Sequence, residues 1–304
     1  MYDIVIIGAG AAGMTAAIYA KRANKKVLVL EARAYGGQII NANSVENYPA
    51  LPHVSGFDLA TKLYNQVLEL GTSVDFGEVT GLVIGDSENT VITDRQKYNC
   101  KSVIIATGTK NRKLGLDGEK ELTGHGISYC ATCDGAFYKN KDVALIGNSN
   151  KALEDAIYLS DIVNNLYVIN KSDHFRADDD LISKLEEKDN VQFAYNSRVI
   201  KLNNNNNGLE SIDVIDDNSV ERNICVSGLF IQIGREPETD IFDKIVNVDD
   251  NGYIVAGEDC HTNVDSVFVA GDCRQKLLRQ LVSATCDGAV AAMEAIKYLN
   301  NKSK

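Results

Sequence analysis

The chain has 304 residues, of which 44% are hydrophobic and 24% charged, a composition that supports two globular domains with separate cores. Its net charge of −11 argues against a protein that binds nucleic acid over a broad surface. No segment approaches the about 20 apolar residues of a membrane helix, and the apolar run over residues 4–20 follows Asp3 and is interrupted by glycines, unlike a signal peptide. We therefore expect a cytoplasmic protein without nucleic-acid or membrane partners.

The N-terminal region has the pattern of a nucleotide-binding βαβ unit. An apolar strand leads into a turn with Gly8, Gly10 and Gly13, then a helix to about Ala23 and a second strand that ends on Glu31. The first glycine suits a tight turn, the second suits close approach of a pyrophosphate, and the third suits close packing of helix on strand. The terminal acid can accept hydrogen bonds from ribose hydroxyls. The segment therefore predicts a dinucleotide site.

A second unit of the same kind follows in the middle of the chain. Residues 143–146 form an apolar strand, residues 147–152 a turn, and a helix is expected to continue to about Val163 before a strand over residues 166–169. The repetition indicates two related nucleotide-binding-type units.

The C-terminal segment returns to the apolar style of the first unit. Residues 268–272 are an apolar run that ends in Gly-Asp, and a helix is expected over residues 281–299. This suggests one discontinuous domain interrupted by an inserted one.

The chain has seven cysteines, an odd number that argues against a structural disulfide framework. Five are isolated and are expected to be small buried hydrophobic residues; they are Cys100, Cys225, Cys260, Cys273 and Cys286. Cys130 and Cys133 form a C-x-x-C motif, which can bind a metal, form a redox disulfide or arise by coincidence. A structural zinc site needs about four ligands, and no second C-x-x-C or C-x-x-H is present, so we expect no metal.

The redox interpretation of this motif has a physical basis. Two cysteines at this spacing can meet at the start of a helix, where the helix dipole and free N–H groups stabilise a thiolate. Asp134 follows directly and is expected to act as the acid or base that protonates the departing thiolate, although a role in capping the helix is compatible with the same position.

Taken together, these motifs resemble the low-molecular-weight thioredoxin reductase family over essentially the whole chain. Besides the glycine turn and the C-x-x-C segment over residues 130–135, the resemblance rests on residues 36–38, 46–49, 106–108, 271–272 and 279–280. It implies an α/β fold with two Rossmann-like domains in three layers, the second inserted in the first. The expected boundaries are 1–111 with 240–304 for an FAD domain and 112–239 for a pyridine-nucleotide-like domain that carries the redox pair.

The resemblance also implies one non-covalent FAD per chain, a homodimer, and thioredoxin as the substrate. The glycine turn would hold the FAD pyrophosphate, Glu31 the adenosine ribose, Gln38 and Asn47 the isoalloxazine side, and Asp272 the ribityl or phosphate region. Arg279 and Gln280 would approach the pyrimidine end, and Cys133 would be the sulfur nearer the flavin. The full set of expected FAD-binding residues is Gly8, Gly10, Ala11, Ala12, Gly13, Glu31, Ala32, Gly37, Gln38, Asn47, Ala106, Thr107, Gly108, Gly271, Asp272, Arg279, Gln280 and Leu281.

The second glycine turn departs from the family pattern. Ser149 replaces its middle glycine, and Asn170-Lys171-Ser172 stands where the family has a cluster that grips the 2′-phosphate of NADPH, with Arg176 matching only the final arginine. We therefore expect no NADPH and a closest resemblance to the ferredoxin-dependent flavin thioredoxin reductases, with reduced ferredoxin as the donor.

Three alternatives remain open from the sequence. The first is an NADPH-dependent thioredoxin reductase with a degenerate NADPH site, the second a diflavin-linked disulfide oxidoreductase, and the third a non-catalytic FAD-binding sensor or scaffold. Because ferredoxins are usually acidic, docking would need a local basic patch. The candidates are residues 110–113, Lys139 with Lys141, and Arg274 with Lys276.

Overall fold

A computed structural model describes residues 1–42, 44–205 and 208–302 of the chain. The chain divides into two compact units: unit 1 comprises residues 1–110 and 236–304, and unit 2 comprises residues 111–235. Each unit has its own buried apolar clusters. Within the described ranges, no helix is both long and apolar enough to cross a membrane.

Strands and helices alternate in parts of the chain, and strands follow one another directly over residues 73–111 and 191–269. In the first half they are β1 (Tyr2–Ile7), α1 (Ala11–Arg22), β2 (Val27–Glu31), α2 (Gly56–Glu69), β3 (Ser73–Phe76), β4 (Val79–Val83), β5 (Asn89–Thr93), β6 (Lys97–Ile105), β7 (Thr109–Asn111), α3 (Glu119–Leu122), β8 (Ile127–Ser128), α4 (Ala131–Asp134) and β9 (Val143–Ile146). In the second half they are α5 (Asn150–Ser160), β10 (Leu166–Ile169), α6 (Asp179–Glu186), β11 (Val191–Ala194), β12 (Ser197–Asn205), β13 (Gly208–Asp216), β14 (Glu221–Cys225), β15 (Gly228–Ile231), β16 (Arg235–Pro237), β17 (Val267–Val269) and α7 (Leu281–Lys302).

Unit 1 is built on a seven-stranded sheet in the order β3-β2-β1-β6-β5-β4, with β17 pairing along the end of β6. The pairs of β1 with β2, β1 with β6 and β6 with β17 are all parallel. Successive side chains of β1 point to opposite faces of the sheet, and both faces are buried. Ile4 and Ile6 pack in the apolar cluster with α1 and α7. Val5 and Ile7 pack in the cluster with Phe242. The N-terminal apolar run is therefore a core strand.

Unit 2 repeats the same plan on a smaller scale. Its parallel sheet has the order β11-β10-β9-β15-β8, and a three-stranded antiparallel sheet has the order β12-β13-β14. The predicted α/β class with two Rossmann-like units is confirmed. Two predicted helix ends are wrong: α5 ends at Ser160 rather than near Val163, because the chain turns there with the Ile162 N–H donating to the Leu159 carbonyl at 2.9 Å, and α7 continues to Lys302 rather than ending at Leu299.

Helix α1 is held unusually close to its neighbours in unit 1. A Cβ on Gly13 would lie 1.9 Å from the Gly8 carbonyl oxygen, and a Cβ on Gly288 of α7 would lie 2.2 Å from the Ala12 carbonyl oxygen. No side chain fits at either distance, so glycine is required where α1 meets the β1 turn and where it meets α7.

Replacing Gly288 by alanine reverses the usual effect of a helical glycine-to-alanine change. At an exposed helical site that change stabilises by roughly 1 kcal/mol. Here the added methyl group forces α7 away from α1, and we expect a loss of about 1–3 kcal/mol in the free energy of unfolding. Urea denaturation of the purified protein measures it. Asn301→Ala, at an exposed position of the same helix, is the control and should leave stability unchanged or slightly raised; a Gly288→Ala variant as stable as this control would contradict the packing argument.

Candidate active site and dinucleotide-binding edge

Most of the residues expected to bind the dinucleotide lie at the ends of four strands of unit 1. Because β1, β2, β6 and β17 run parallel, the loops after them leave the sheet at one edge. Backbone hydrogen bonds continue the pairing into these loops, from Gly8 N to Leu30 O, from Ala106 N to Ile7 O and from Ala270 N to Ile105 O, each 2.8 Å. The expected residues that this edge brings together are Gly8, Gly10, Ala11, Ala12, Gly13, Glu31, Ala32, Ala106, Thr107, Gly108, Gly271 and Asp272.

The glycine turn leaves open space where a phosphate group must approach backbone. Gly10 is the N-cap residue of α1, and a Cβ there would meet nothing nearer than the Gly37 Cα at 3.9 Å. Around Gly108, with φ +73°, a Cβ would have no neighbour within 4 Å. The start of α1 has no side-chain cap, so its N–H groups and dipole face this space. The turn fits the pyrophosphate of a bound dinucleotide.

Glu31 is fixed in place by two backbone groups. Its Oε2 accepts the Ala9 N–H at 2.8 Å, and its Oε1 accepts the Arg33 N–H at 2.9 Å. A carboxylate has about four acceptor positions, so both oxygens keep a lone pair for ribose hydroxyls. Ala32 is exposed beside it.

The residues expected near the flavin ring form two linked pairs. Asn47 Nδ2 donates to Gln280 Oε1 at 3.1 Å, and Arg279 Nε donates to the Asp272 carbonyl at 3.3 Å. The Arg279 guanidinium also lies 3.9 Å from the centre of the Tyr253 ring. No sequence pattern marks Tyr253, which was missed.

Two further expected residues flank these pairs. Gln38 Nε2 donates to the Thr109 carbonyl at 3.1 Å, and Leu281 begins α7 directly after Gln280.

A buried ionic cluster supports the Gly271-Asp272 turn and was also missed. Asp287 accepts hydrogen bonds from Arg274 at 3.0 and 3.1 Å, from Lys276 at 3.0 Å and from the Gly271 N–H at 3.0 Å. The proposal that Arg274 and Lys276 form a surface patch for ferredoxin is wrong, since their side chains are only 4% and 6% exposed and are paired with this carboxylate. Removing one member of such a cluster leaves the others as uncompensated buried charges.

The C-x-x-C pair of unit 2 forms a disulfide. The Cys130 and Cys133 sulfurs are 2.13 Å apart, and both residues are half-buried. Cys130 is the N-cap of α4, so the predicted helix start is present. The helix has only four residues, however, and a single turn carries little of a full helix dipole.

Asp134 lies at the end of the same turn and is largely buried. Burial raises the pKa of its carboxyl, and the hydrogen bond that Ser128 Oγ donates to Oδ2 at 2.7 Å opposes this rise. Tyr138 lies nearby, and burial together with the Asp134 charge raises the pKa of its hydroxyl to about 12. A raised carboxyl pKa beside a disulfide suits an acid that gives a proton to a leaving thiolate. Ser128 was missed, because a single serine carries no sequence signal.

In the second nucleotide-type turn, the residues that depart from the family pattern bond to nearby backbone groups of unit 2. Ser149 is the N-cap of α5 and accepts the Ala152 N–H at 3.4 Å. Asn170 is 1% exposed and closes its loop by donating to the His174 carbonyl at 2.8 Å and accepting the Ser172 N–H at 3.0 Å. This amide is therefore buried, and its oxygen and nitrogen both bond within the loop.

Two exposed basic residues and one acidic residue lie near this turn. Lys171 and Arg176 are exposed. Asn150 and Asp178 exchange two hydrogen bonds, at 2.8 and 2.9 Å, which place a carboxylate beside the start of α5.

The isolated cysteines divide into two groups. Cys100, Cys260 and Cys273 are buried, and burial raises the pKa values of Cys100 and Cys260 to about 12. The expectation of burial is wrong for Cys225 and Cys286, which are exposed. Cys225 ends the edge strand β14, and Cys286 lies on the outer face of α7. In the part of the chain that the structure describes, no group of three or more His, Cys, Asp or Glu residues is placed to hold a metal ion.

Comparison with known proteins supplies the family. A model of the family described as pyridine nucleotide-disulphide oxidoreductase matches residues 2–288. The thioredoxin reductase of Listeria monocytogenes is 38% identical over 302 residues, which cover 98% of this chain and 94% of that protein. A 34.2 kDa protein in the rubredoxin operon of Clostridium pasteurianum is 39% identical over 302 residues, which cover 99% of this chain and 98% of that protein.

The fold agrees with that of a solved relative. The crystal structure of thioredoxin reductase from Streptococcus pyogenes matches with a TM-score of 0.93 at 36% identity, covering 99% of each chain. None of these four descriptions names ferredoxin, so the expected ferredoxin-dependent subgroup gains no support, whereas the family description names a pyridine nucleotide. The chain belongs to the thioredoxin reductases of the pyridine nucleotide-disulphide oxidoreductase family.

Proposed function

We propose that this protein binds FAD and passes electrons through it to the Cys130–Cys133 disulfide and on to the disulfide of thioredoxin. The observation that carries the proposal is a half-buried disulfide with a largely buried carboxyl, Asp134, at the end of the same turn. The relatives' description as thioredoxin reductases supports the substrate. A non-catalytic sensor would not need this acid next to its disulfide.

FAD fits the edge of the unit 1 sheet. The space over Gly10 would take its pyrophosphate, Glu31 the adenosine ribose, and the linked pair Asn47 and Gln280 the ring end. When bound, FAD supplies the electron pair that reduces the disulfide.

The reduced pair then exchanges with thioredoxin in two steps. The Cys130 thiolate attacks one thioredoxin sulfur, forming a mixed disulfide and releasing the other sulfur as a thiolate, which Asp134 protonates. Cys133, assigned by resemblance as the sulfur nearer the flavin, then gives up its thiol proton, attacks the Cys130 sulfur and releases the second thioredoxin sulfur, which takes up that proton. One disulfide is formed on the enzyme and one is reduced to two thiols on thioredoxin, so electrons and protons balance.

A pyridine nucleotide is the donor that the comparisons favour. The family is described by its use of a pyridine nucleotide, and unit 2 keeps the strand, turn and helix of a nucleotide-binding unit in β9 and α5. Exposed Lys171 and Arg176 supply positive charge after β10. This supports NADPH as the donor, contrary to the expectation that none is used.

Reduced ferredoxin is the second candidate, and local geometry supports it. Ser149 caps the helix that would receive the nucleotide phosphates, Asn170 is turned inward, and Asp178 puts a negative charge at the start of α5. Of the basic residues expected to dock ferredoxin, Lys139 and Lys141 are exposed. Lys110 forms an ion pair with Glu236, with Nζ 3.8 Å from the carboxylate oxygen.

Anaerobic reduction of the bound flavin separates the two donors. We expect the absorbance of the oxidised flavin to be lost on mixing with NADPH, more slowly with NADH, and thioredoxin thiols to appear in proportion. In the double variant Lys139→Glu with Lys141→Glu, the rate with NADPH should stay unchanged. Fast bleaching by reduced ferredoxin alone, slowed in this variant, would instead establish the second candidate.

Replacing Cys133 by serine should abolish thioredoxin reduction while FAD stays bound, because the exchange needs both sulfurs. Thiol release from thioredoxin and the flavin absorbance of the purified protein measure the two properties. Cys225→Ser, which changes an exposed free thiol of the same unit, is the matched control and should keep full activity. Turnover by the Cys133→Ser variant would contradict the assignment of the redox pair.

We further propose a homodimer, as the family resemblance implies. Two exposed apolar side chains on α7 support a partner surface there: Val282 is 42% exposed and Met293 45%. Light scattering of the purified protein should give twice the mass of one chain, and Met293→Glu should shift it toward the monomer. A monomeric wild-type protein would refute the proposal.

A further inference from the structure

Ser128 connects the acid to the backbone of the redox turn. It is the last residue of β8 and is 3% exposed. Its Oγ lies 2.7 Å from Asp134 Oδ2, 3.0 Å from the Cys130 nitrogen and 3.2 Å from the Cys130 carbonyl oxygen. A hydroxyl has one hydrogen to donate, and the shorter, charge-assisted bond to the carboxylate takes it. The oxygen then accepts the Cys130 N–H, so one side chain joins the acid and the first cysteine.

The position of Ser128 is set by the sheet and not by the redox turn itself. β8 pairs with β15 in parallel, with Ser128 opposite Phe230, which is fully buried. Because Ser128 is 3% exposed, water has little access to its hydroxyl, and the bond to Asp134 is stronger than the same contact at a surface. The sheet therefore fixes Ser128, and α4 carries Asp134, the other partner of the hydrogen bond.

We infer that Ser128 is a positioning residue for the thiol–disulfide exchange, holding the Asp134 carboxyl at the redox pair and joining it to the Cys130 backbone. The inference rests on the proposed role of Asp134 as the proton donor. It concerns a residue that is 3% exposed and that acts through the acid.

The surroundings of Asp134 predict the direction of a pH effect. Burial favours the neutral carboxyl, and the bond from Ser128 favours the ionised one. The titratable groups around it are the two cysteines of its own turn, Tyr138 on the following 3-10 turn, and Tyr158 of α5, which packs against Gly135. Without Ser128 the ionised form loses its donor, so the pKa of Asp134 rises and the proton stays bound to higher pH as a weaker acid.

Exchange kinetics across pH test this inference. The protein, reduced beforehand and freed of excess reductant, is mixed anaerobically with oxidised thioredoxin, or with a small alkyl disulfide, which needs no protein docking and releases a thiolate basic enough to need a proton. Wild type, Ser128→Ala, Asp134→Asn and the double variant are compared. We expect Ser128→Ala to slow exchange with thioredoxin by about tenfold, a fraction of what general acid catalysis can supply. In both proteins the rate falls at high pH, where Asp134 is ionised, and in Ser128→Ala this fall should occur at a higher pH than in the wild type.

The double variant separates action through the acid from a merely structural role. If Ser128 acts through Asp134, the double variant should match Asp134→Asn in rate and pH profile, and Ser128→Thr, which keeps the hydroxyl, should restore most of the rate. Ser160→Ala removes another largely buried serine hydroxyl of unit 2, one bonded only to a helix carbonyl, and should behave as wild type.

Two results would overturn the inference. One is an unchanged pH profile in Ser128→Ala, and the other is a further slowing when Ser128→Ala is added to Asp134→Asn. Failure of the wild type to reduce thioredoxin, with normal exchange of the alkyl disulfide, would refute the proposed function alone, because the pH profile with the alkyl disulfide still reports on Ser128.

Discussion

The edge of the unit 1 sheet at which we propose that FAD binds depends on how closely α1 approaches its neighbours. Gly13 lets the helix rest on the turn after β1, and Gly288 lets α7 rest on α1. With both contacts made, the first N–H groups of α1 point into the space over Gly10, and the loops after β1, β6 and β17 meet there. A displacement of α1 by one methyl group would change the width of this space, so packing between helices decides whether a phosphate fits.

The features that local backbone geometry requires could be predicted from the sequence. The glycine turn, the acid at the end of β2 and the apolar strands were all readable, because a turn, a strand end and a buried strand leave short-range patterns. Contacts between distant residues leave none. The ionic cluster around Asp287 and the stacking of Arg279 on Tyr253 join residues that only the fold brings together. The same holds for Ser128, which is unremarkable until β8 places it against Asp134.

The donor illustrates how motif and geometry carry different information. Ser149 and Asn170 were noted as departures from a nucleotide-binding motif, and the structure adds what these residues do instead. One caps a helix and the other closes a loop, and each satisfies backbone groups that would otherwise lack partners. A site can thus lose motif residues to local stability while the family fold around it persists.

The entry and exit of the inserted unit lie side by side within each unit. In unit 1 the Glu238 N–H donates to the Gly108 carbonyl at 3.1 Å, and in unit 2 the Arg112 N–H donates to the Gly234 carbonyl at 3.1 Å. Because both ends of unit 2 come together, the chain of unit 1 needs only a short turn to be rejoined without it. Unit 2 is therefore an insertion that can be exchanged as a whole, and replacing residues 111–235 by those of a relative would change the disulfide chemistry while leaving unit 1, where we propose that FAD binds, intact.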